Sequence, residues 1–290
     1  MPIERRPLLI RTSADLRERV GRWRRNGQRI ALVPTMGNLH DGHLALVRAV
    51  RPQAERVIAS IFVNPLQFGA GEDFDRYPRT LDDDMSGLAA VGTDAVFHPS
   101  VHEMYPDGGS LRTQVQVPSL EAVLCGRQRQ GHFAGVATVV TKLLCLVQPD
   151  TAIFGRKDYQ QLVLIRQLVR DLSLPVRVVA GDTVRESDGL AMSSRNRYLA
   201  PSQRALAPRL YRALCDLRKL LEGGARDFEA QCARVHKTLT EAGFVPDYVQ
   251  VVDPVTLQPA ASDSSSVVIA AAAHLGKARL IDNLSATLHD

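Results

Sequence analysis

Arg29-Ile30-Ala31-Leu32-Val33-Pro34-Thr35-Met36-Gly37-Asn38-Leu39-His40-Asp41-Gly42-His43 is the stretch that decides the architecture of this chain. Residues 29–33 form a short, nearly continuous apolar run closed by Pro34. Such a run reads as a strand buried on both faces. A turn carrying Gly37 and Gly42 follows, and an apolar helix begins near His43 and runs to Val50. In a parallel sheet, the loop at a strand's carboxyl end is where ligands gather. Two histidines three apart fall on that loop. Bonded to phosphate oxygens, they would stabilise charge that shifts during attack at an α-phosphorus. The exposed amides of the helix N-terminus would add affinity for an anion. A metal site is the competing reading, but the sequence offers no obvious third ligand nearby.

The same alternation extends outward. Residues 13–26 read as an amphipathic helix, with Leu16, Val20 and Trp23 at helical spacing and Thr12 with Asp15 as a capping box. Strands are expected at 56–63, 94–97, 151–154 and 175–179, and helices at 80–91, 134–147 and 159–172. Apolar strands separated by helices imply an α/β fold with a doubly wound parallel sheet over residues 1–184. The pattern then changes. Two helical segments, 202–222 and 226–242, flank Gly223-Gly224, and strands are expected at 247–252, 267–272 and 278–281. Residues 185–290 therefore read as a smaller α+β domain, and no internal repeat is present.

Composition narrows the class of function. With 290 residues, 45% hydrophobic and 23% charged, the chain can bury a large core and is not a disordered protein. Its formal charge is +5, only five of its 36 basic residues are lysines, and nine arginines precede Ile30, from Arg5 to Arg29. These arginines lack interleaved aromatics, so a solvated helix face is favoured over nucleic-acid binding. Cys125, Cys145, Cys215 and Cys232 are scattered, which argues against structural zinc. Cys145 lies in the apolar run 143–147 and is expected to be buried. There is no signal-peptide pattern and no apolar run long enough to span a bilayer. A reducing cytoplasm fits.

Further candidates lie at other strand ends. Asn64 and Gln67 follow the second strand and suit a substrate hydroxyl or carboxylate, although Asn64 before Pro65 also suits a plain turn. Thr80 is placed to cap a helix whose first turn holds Asp82, Asp83 and Asp84. One of these acids could hold Mg²⁺ on ATP. Gly69 and Gly71 would let the preceding loop move. In Gly155-Arg156-Lys157-Asp158, Lys157 suits a phosphate clamp, Asp158 a helix cap, and Gln161 would face the pocket one turn later. Ser193-Ser194-Arg195 could form a phosphate nest, and His132 opens a long helix. Neither a Walker A loop nor a G-x-G-x-x-G fingerprint is present.

These segments, with Phe62-Val63-Asn64-Pro65, Tyr77-Pro78-Arg79, His132-Phe133-Ala134-Gly135-Val136, residues 185–196 and Ile281-Asp282-Asn283, make the chain resemble the pantothenate synthetase family. That family belongs to the nucleotidyltransferase superfamily with a HIGH-type ATP motif. The resemblance implies a Rossmann-like domain with a C-terminal lid domain, a homodimer, and ATP-dependent joining of pantoate to β-alanine through pantoyl adenylate. It implies that His40, His43, Lys157, Ser193, Ser194 and Arg195 handle the phosphates. Met36, Gly37, Gly155 and Asp158 would hold the nucleotide, and Asn64, Gln67, Gln161 and His132 the pantoate region. Asp83 and Asp84 would be linked to Mg²⁺. Asn38, Asp41 and Arg156 depart from residues common in the family and would tune the site.

Overall fold

The computed structural model describes residues 6–69, 72, 74–106 and 113–288; Arg5 and Gly71 lie outside them. Six parallel strands form the first sheet: β1 (Leu8–Ile10), β2 (Ile30–Thr35), β3 (Arg56–Ile61), β4 (Ala95–Phe97), β5 (Thr151–Gly155) and β6 (Arg177–Gly181). Their order is β1-β4-β3-β2-β5-β6.

Alternation along each strand divides its side chains between two layers. On β2, Ile30 and Leu32 join one buried cluster with Ile58, Phe97, Ala152 and Phe154. Ala31 and Val33 join the opposite cluster with Val57, Ala59, Val96 and Ile153. Helices α1 (Ser13–Arg25), α7 (His132–Val147) and α8 (Tyr159–Asp171) cover the first face; α2 (Asp41–Val50) and α3 (Leu81–Ala90) cover the second. Between α3 and α7 lie the short helices α4 (Val101–Met104), α5 (Pro118–Glu121) and α6 (Leu124–Gln128). The helix-on-sheet-on-helix layering thus follows from strands that are apolar on both faces.

After β6 the chain forms α9 (Pro201–Leu206), α10 (Arg209–Glu222) and α11 (Phe228–Glu241), then the antiparallel strands β7 (Val245–Val252), β8 (Ser266–Leu275) and β9 (Ala278–Thr287). Strand β8 again sorts its residues by parity. Val267, Ile269, Ala271 and Ala273 pack with α10 and α11, while Val268 and Ala270 join the core of the large sheet. The small sheet therefore shares a continuous apolar contact with the first.

Some sequence expectations change. The helix anticipated over 202–222 breaks at Ala207-Pro208, because proline lacks the amide that would continue the ladder. Strand β9 runs on to Thr287, well past the expected 281, through the polar residues Asp282, Asn283, Ser285 and Thr287. Cys145 is exposed. Its apolar run lies on a helix, where each residue turns by roughly 100°, so one position between Leu144 and Val147 points outward. The N-terminal arginines lie mostly on an exposed face, where Arg22 pairs with Glu18 on the same helix (2.8 Å), Arg29 with Glu55 (2.8 Å), and Arg24 donates to the Gln148 carbonyl. Among the described residues, no helix is long and apolar enough to cross a membrane.

One contact fixes where α7 sits against the turn at Pro65–Gln67. A Cβ built on Gly135 would collide with the Leu66 carbonyl, so only glycine allows this approach. Gly135→Ala is expected to destabilise the protein by about 1–3 kcal/mol in urea unfolding. Gly155→Ala, whose Cβ would meet nothing within 4 Å, should shift the midpoint little. Equal effects from the two substitutions would contradict this packing.

Candidate active site

Strand order reverses between β2 and β5, and their carboxyl ends carry the two loops singled out from the sequence. The pair is registered only at Ala31↔Thr151 and Leu32↔Ala152, whereas β2 and β3 stay paired to Thr35↔Ile61. The strands diverge there, as expected at the switch point of a doubly wound sheet. A cavity of about 230 Å³ fills the gap, lined by Met36, His40 and His43 from one side and Gly155, Lys157, Asp158 and Gln161 from the other. Gln67, His132, Ser193, Ser194 and Arg195 complete its walls. An outer cleft of about 680 Å³ adjoins it along Arg129, Lys157, Asp158, Ser193 and Arg195.

The histidines are set by backbone hydrogen bonds. His40 is the N-cap of α2, and its Nδ1 accepts the Gly42 amide at 3.1 Å. His43 Nδ1 accepts the His40 amide at 3.3 Å. The two rings lie 4.1 Å apart, centroid to centroid. An imidazole whose Nδ1 accepts, when neutral, carries its proton on Nε2 and donates from there. Both are held neutral. Burial, then the charge of Lys157, lowers the His40 pKa to about 4; burial, then His40 itself, lowers His43 to about 3. Gly42 is required by this geometry, because a Cβ there would meet His40 Cε1 at 2.8 Å and Nδ1 at 2.9 Å.

The turn before the histidines is pinned by Asp84. Only 3% exposed, it accepts the amides of Asn38 (2.9 Å) and Leu39 (2.8 Å) and the Thr80 hydroxyl (3.2 Å). The two acids read from sequence as linked to Mg²⁺ sit in different surroundings. Asp84 is engaged with the loop, Asp83 is exposed, and neither lines the cavity. Among the described residues, no group of three or more His, Cys, Asp or Glu is gathered. Thr80 likewise makes no cap bond, its hydroxyl being turned to Asp84. Gly37 shapes the turn, with φ +81°, and is not a cavity wall. Asn38 receives Arg197 at 2.6 Å, and Arg156 pairs with Asp182 at 3.2 Å. Two of the unusual residues thus have local partners.

On the opposite wall, Asn64 is 1% exposed and supports Gln67 without itself reaching the cavity. Its amide donates to Gln67 Oε1 (3.1 Å) and the Gly135 carbonyl (3.1 Å), while its oxygen accepts the Tyr105 hydroxyl (2.8 Å). Gln67 Nε2 donates to the weakly accepting Met36 sulfur at 2.9 Å. The adjacent glutamines of α8 divide their work: Gln160 bonds Cys125, Leu120 and Val123 backbone groups, and Gln161 lines the cavity. His132 lies 2.7 Å from the Gln67 carbonyl through Nδ1 and 2.8 Å from an Arg129 nitrogen through Nε2. A guanidinium can only donate, so His132 accepts at Nε2 and carries its proton on Nδ1. This is the opposite tautomer to His40 and His43. Burial, then Arg129, lowers its pKa to about 4.

The second domain reaches the same loop. Asn283 donates from one amide group to the carbonyls of Arg156 (3.0 Å) and Lys157 (2.9 Å). Asp158 makes no cap bond to α8; its carboxylate lies 3.7 Å from Lys157 Nζ. The Ser193 hydroxyl accepts the Arg195 amide at 3.3 Å and starts a short 3₁₀ turn, Ser194–Tyr198. Arg129 and Glu72, which the sequence reading passed over, form a bidentate pair at the cavity rim (2.8 and 2.6 Å). No local motif marks them, since they are 57 residues apart.

Three half-buried histidines with lowered pKa values predict a pH dependence of stability. Each binds a proton in the unfolded chain near pH 6.5 but resists it when folded. Their stabilising contribution is complete above about pH 6.5 and is lost as pH falls towards 4. Urea midpoints should therefore decline over about pH 6.5 to 4.5, and His43→Gln should flatten that slope. A slope unchanged by the substitution would contradict neutral burial.

Known proteins match this chain almost end to end. The model of the family described as pantoate-beta-alanine ligase matches residues 8–285. A pantothenate synthetase of Pseudomonas entomophila is 54% identical over 275 residues, covering 95% of this chain and 96% of that one. That of Azotobacter vinelandii is 52% identical over 278 residues, covering 96% and 98%. Among solved structures, the pantothenate synthetase of Thermus thermophilus superposes with a TM-score of 0.88 at 47% identity, covering 96% of this chain and 98% of that chain. The ligase of Francisella tularensis, solved as a complex with beta-gamma ATP and beta-alanine, gives 0.81 at 32% identity, covering 96% and 97%. A divergent switch point, paired neutral histidines and a facing glutamine wall thus occur in a chain that belongs to the pantoate–β-alanine ligase family.

Proposed function

We propose that the chain joins pantoate to β-alanine in two steps within the cavity between β2 and β5. In the first, a pantoate carboxylate oxygen attacks the α-phosphorus of ATP. The bond to the β-phosphate bridging oxygen breaks, and pyrophosphate leaves. In the second, the amine of β-alanine attacks the acyl carbon of pantoyl adenylate, loses a proton, and expels AMP. Neither step needs a protein nucleophile. Both need alignment and stabilisation of displaced charge.

The observation that carries this reading is the convergence of two neutral, Nδ1-accepting histidines with Lys157, Gln67 and Gln161 on one cavity. His40 and His43 donate Nε2–H to phosphate oxygens as negative charge moves towards the leaving group. Lys157, Ser193, Ser194 and Arg195 hold the outgoing phosphates. Met36, Gly155 and Asp158 border the nucleotide, with Asp158 towards the ribose. Gln67 and Gln161 orient pantoate, and His132 holds the Gln67 backbone. ATP is taken as its Mg²⁺ complex, the ion being held by phosphate oxygens and water as this cation prefers. The enzyme works in the cytoplasm as a homodimer. Residues 1–184 bind ATP and pantoate, and residues 185–290 cover the phosphates.

The deciding assay is exchange of labelled pyrophosphate into ATP, which should require pantoate and proceed without β-alanine. Adding β-alanine should release AMP and form the amide. Removing one well-placed transition-state donor costs on the order of 3 kcal/mol, roughly a hundred-fold in rate. His43→Ala should therefore slow exchange about that much, while attack of β-alanine on supplied pantoyl adenylate suffers far less. Absence of exchange, or equal losses in both half-reactions, would overturn these roles.

A further inference from the structure

Arg129 borders both the inner cavity and the outer cleft, and also a third space of about 80 Å³ beside them. Its Nε and one terminal nitrogen grip the two oxygens of Glu72 at 2.8 and 2.6 Å. The other terminal nitrogen bonds His132 at 2.8 Å. A planar guanidinium holding a carboxylate by two parallel bonds is a recognition geometry for carboxylates generally. Here the occupant is a side chain of the protein, placed at the rim of the reaction cavity.

Arg76, Arg195 and Lys277 also line the outer cleft, but unlike Arg129 they do not border all three spaces. Arg279 is bound by Asp247 at 2.7 Å, and Arg185 by Asp282 at 2.6 Å. Lys157 lies beside the histidines that lead into α2, and its charge acts on both. β-Alanine carries a carboxylate two carbons from its amine. With that amine at an acyl carbon in the inner cavity, a carboxylate directed outward would meet Arg129, which borders both spaces. We infer that Arg129 receives the carboxylate of the amine substrate, and that Glu72 occupies this position until the substrate displaces it. The inference rests on the ligase reading above.

Two consequences follow from displacement. One carboxylate replaces another, so the net gain is small and binding of the amine substrate is weaker than a bidentate ion pair alone would give. Glu72 and Arg129 then act with opposite sign: removing the competitor's charge tightens binding, and removing the receptor weakens it. A purely structural ion pair would not give opposite signs: breaking it from either side would do harm, more from the Arg129 side because Arg129 also holds His132 and the Gln67 carbonyl.

The test measures the β-alanine KM in the complete reaction alongside the pantoate KM in pyrophosphate exchange. Glu72→Gln should lower the β-alanine KM about three-fold, and Arg129→Gln should raise it about ten-fold or more, the span expected for a charge-assisted hydrogen-bond pair. The pantoate KM should move less than the β-alanine KM in both variants. The unmodified enzyme should also prefer β-alanine to uncharged β-alaninamide, and Arg129→Gln should lose that preference. The proposal is overturned if both substitutions raise the β-alanine KM, if the pantoate KM carries the larger change, or if β-alaninamide serves the unmodified enzyme as well as β-alanine. Failure of exchange in the unmodified enzyme would instead remove the ligase reading itself.

Discussion

At the start of α2, two imidazole Nδ1 atoms accept backbone amides from the residues beside them. This capping does the work that a serine or aspartate usually does at a helix N-terminus. Serving as acceptors at Nδ1 fixes where the remaining proton of each neutral ring lies, and burial keeps the rings neutral. Local folding thereby sets two Nε2–H donors at the divergence of β2 and β5. Asp84 supports the arrangement from behind by holding the Asn38 and Leu39 amides, and Gly42 leaves room for the His40 ring.

The other walls are held by comparable devices. Asn64 fixes Gln67 from a buried position, and Gly135 lets α7 approach closely enough for its carbonyl to accept from Asn64. Across the cavity, Asn283 of β9 secures the two carbonyls of the loop that carries Lys157. The small sheet also contributes Val268 and Ala270 to the core of the large one. Residues from both parts of the chain therefore position the Lys157 side of the cavity, and their contact is apolar as well as polar.

Much of this was legible in the sequence because the relevant signals are local. Buried parallel strands are apolar on both faces, and a histidine pair after such a strand falls at a known ligand position. Gln67, Gln161, Lys157 and the Ser193–Arg195 segment are likewise marked by strand ends and short motifs, and all line the cavity. What escaped depends on contacts between distant segments. Three adjacent aspartates look alike in sequence, yet only Asp84 points at a loop 46 residues earlier. Asn64 follows a strand as a ligand-binding residue would, but Tyr105 and Gly135 turn it inward. Arg129 and Glu72 carry no motif at all. Cys145 shows the complementary error, since an apolar run says nothing about rotation around a helix axis.

Whether the capping at α2 sets the two donors is decided by ¹⁵N NMR of the histidine side chains at neutral pH, with a non-hydrolysable ATP analogue bound. His40 and His43 should both show an unprotonated Nδ1 and a protonated Nε2, with Nε2 shifting when the analogue binds. His132 should show the reverse tautomer. An imidazolium at either His40 or His43, or a proton on Nδ1 of either ring, would contradict this origin of the donors.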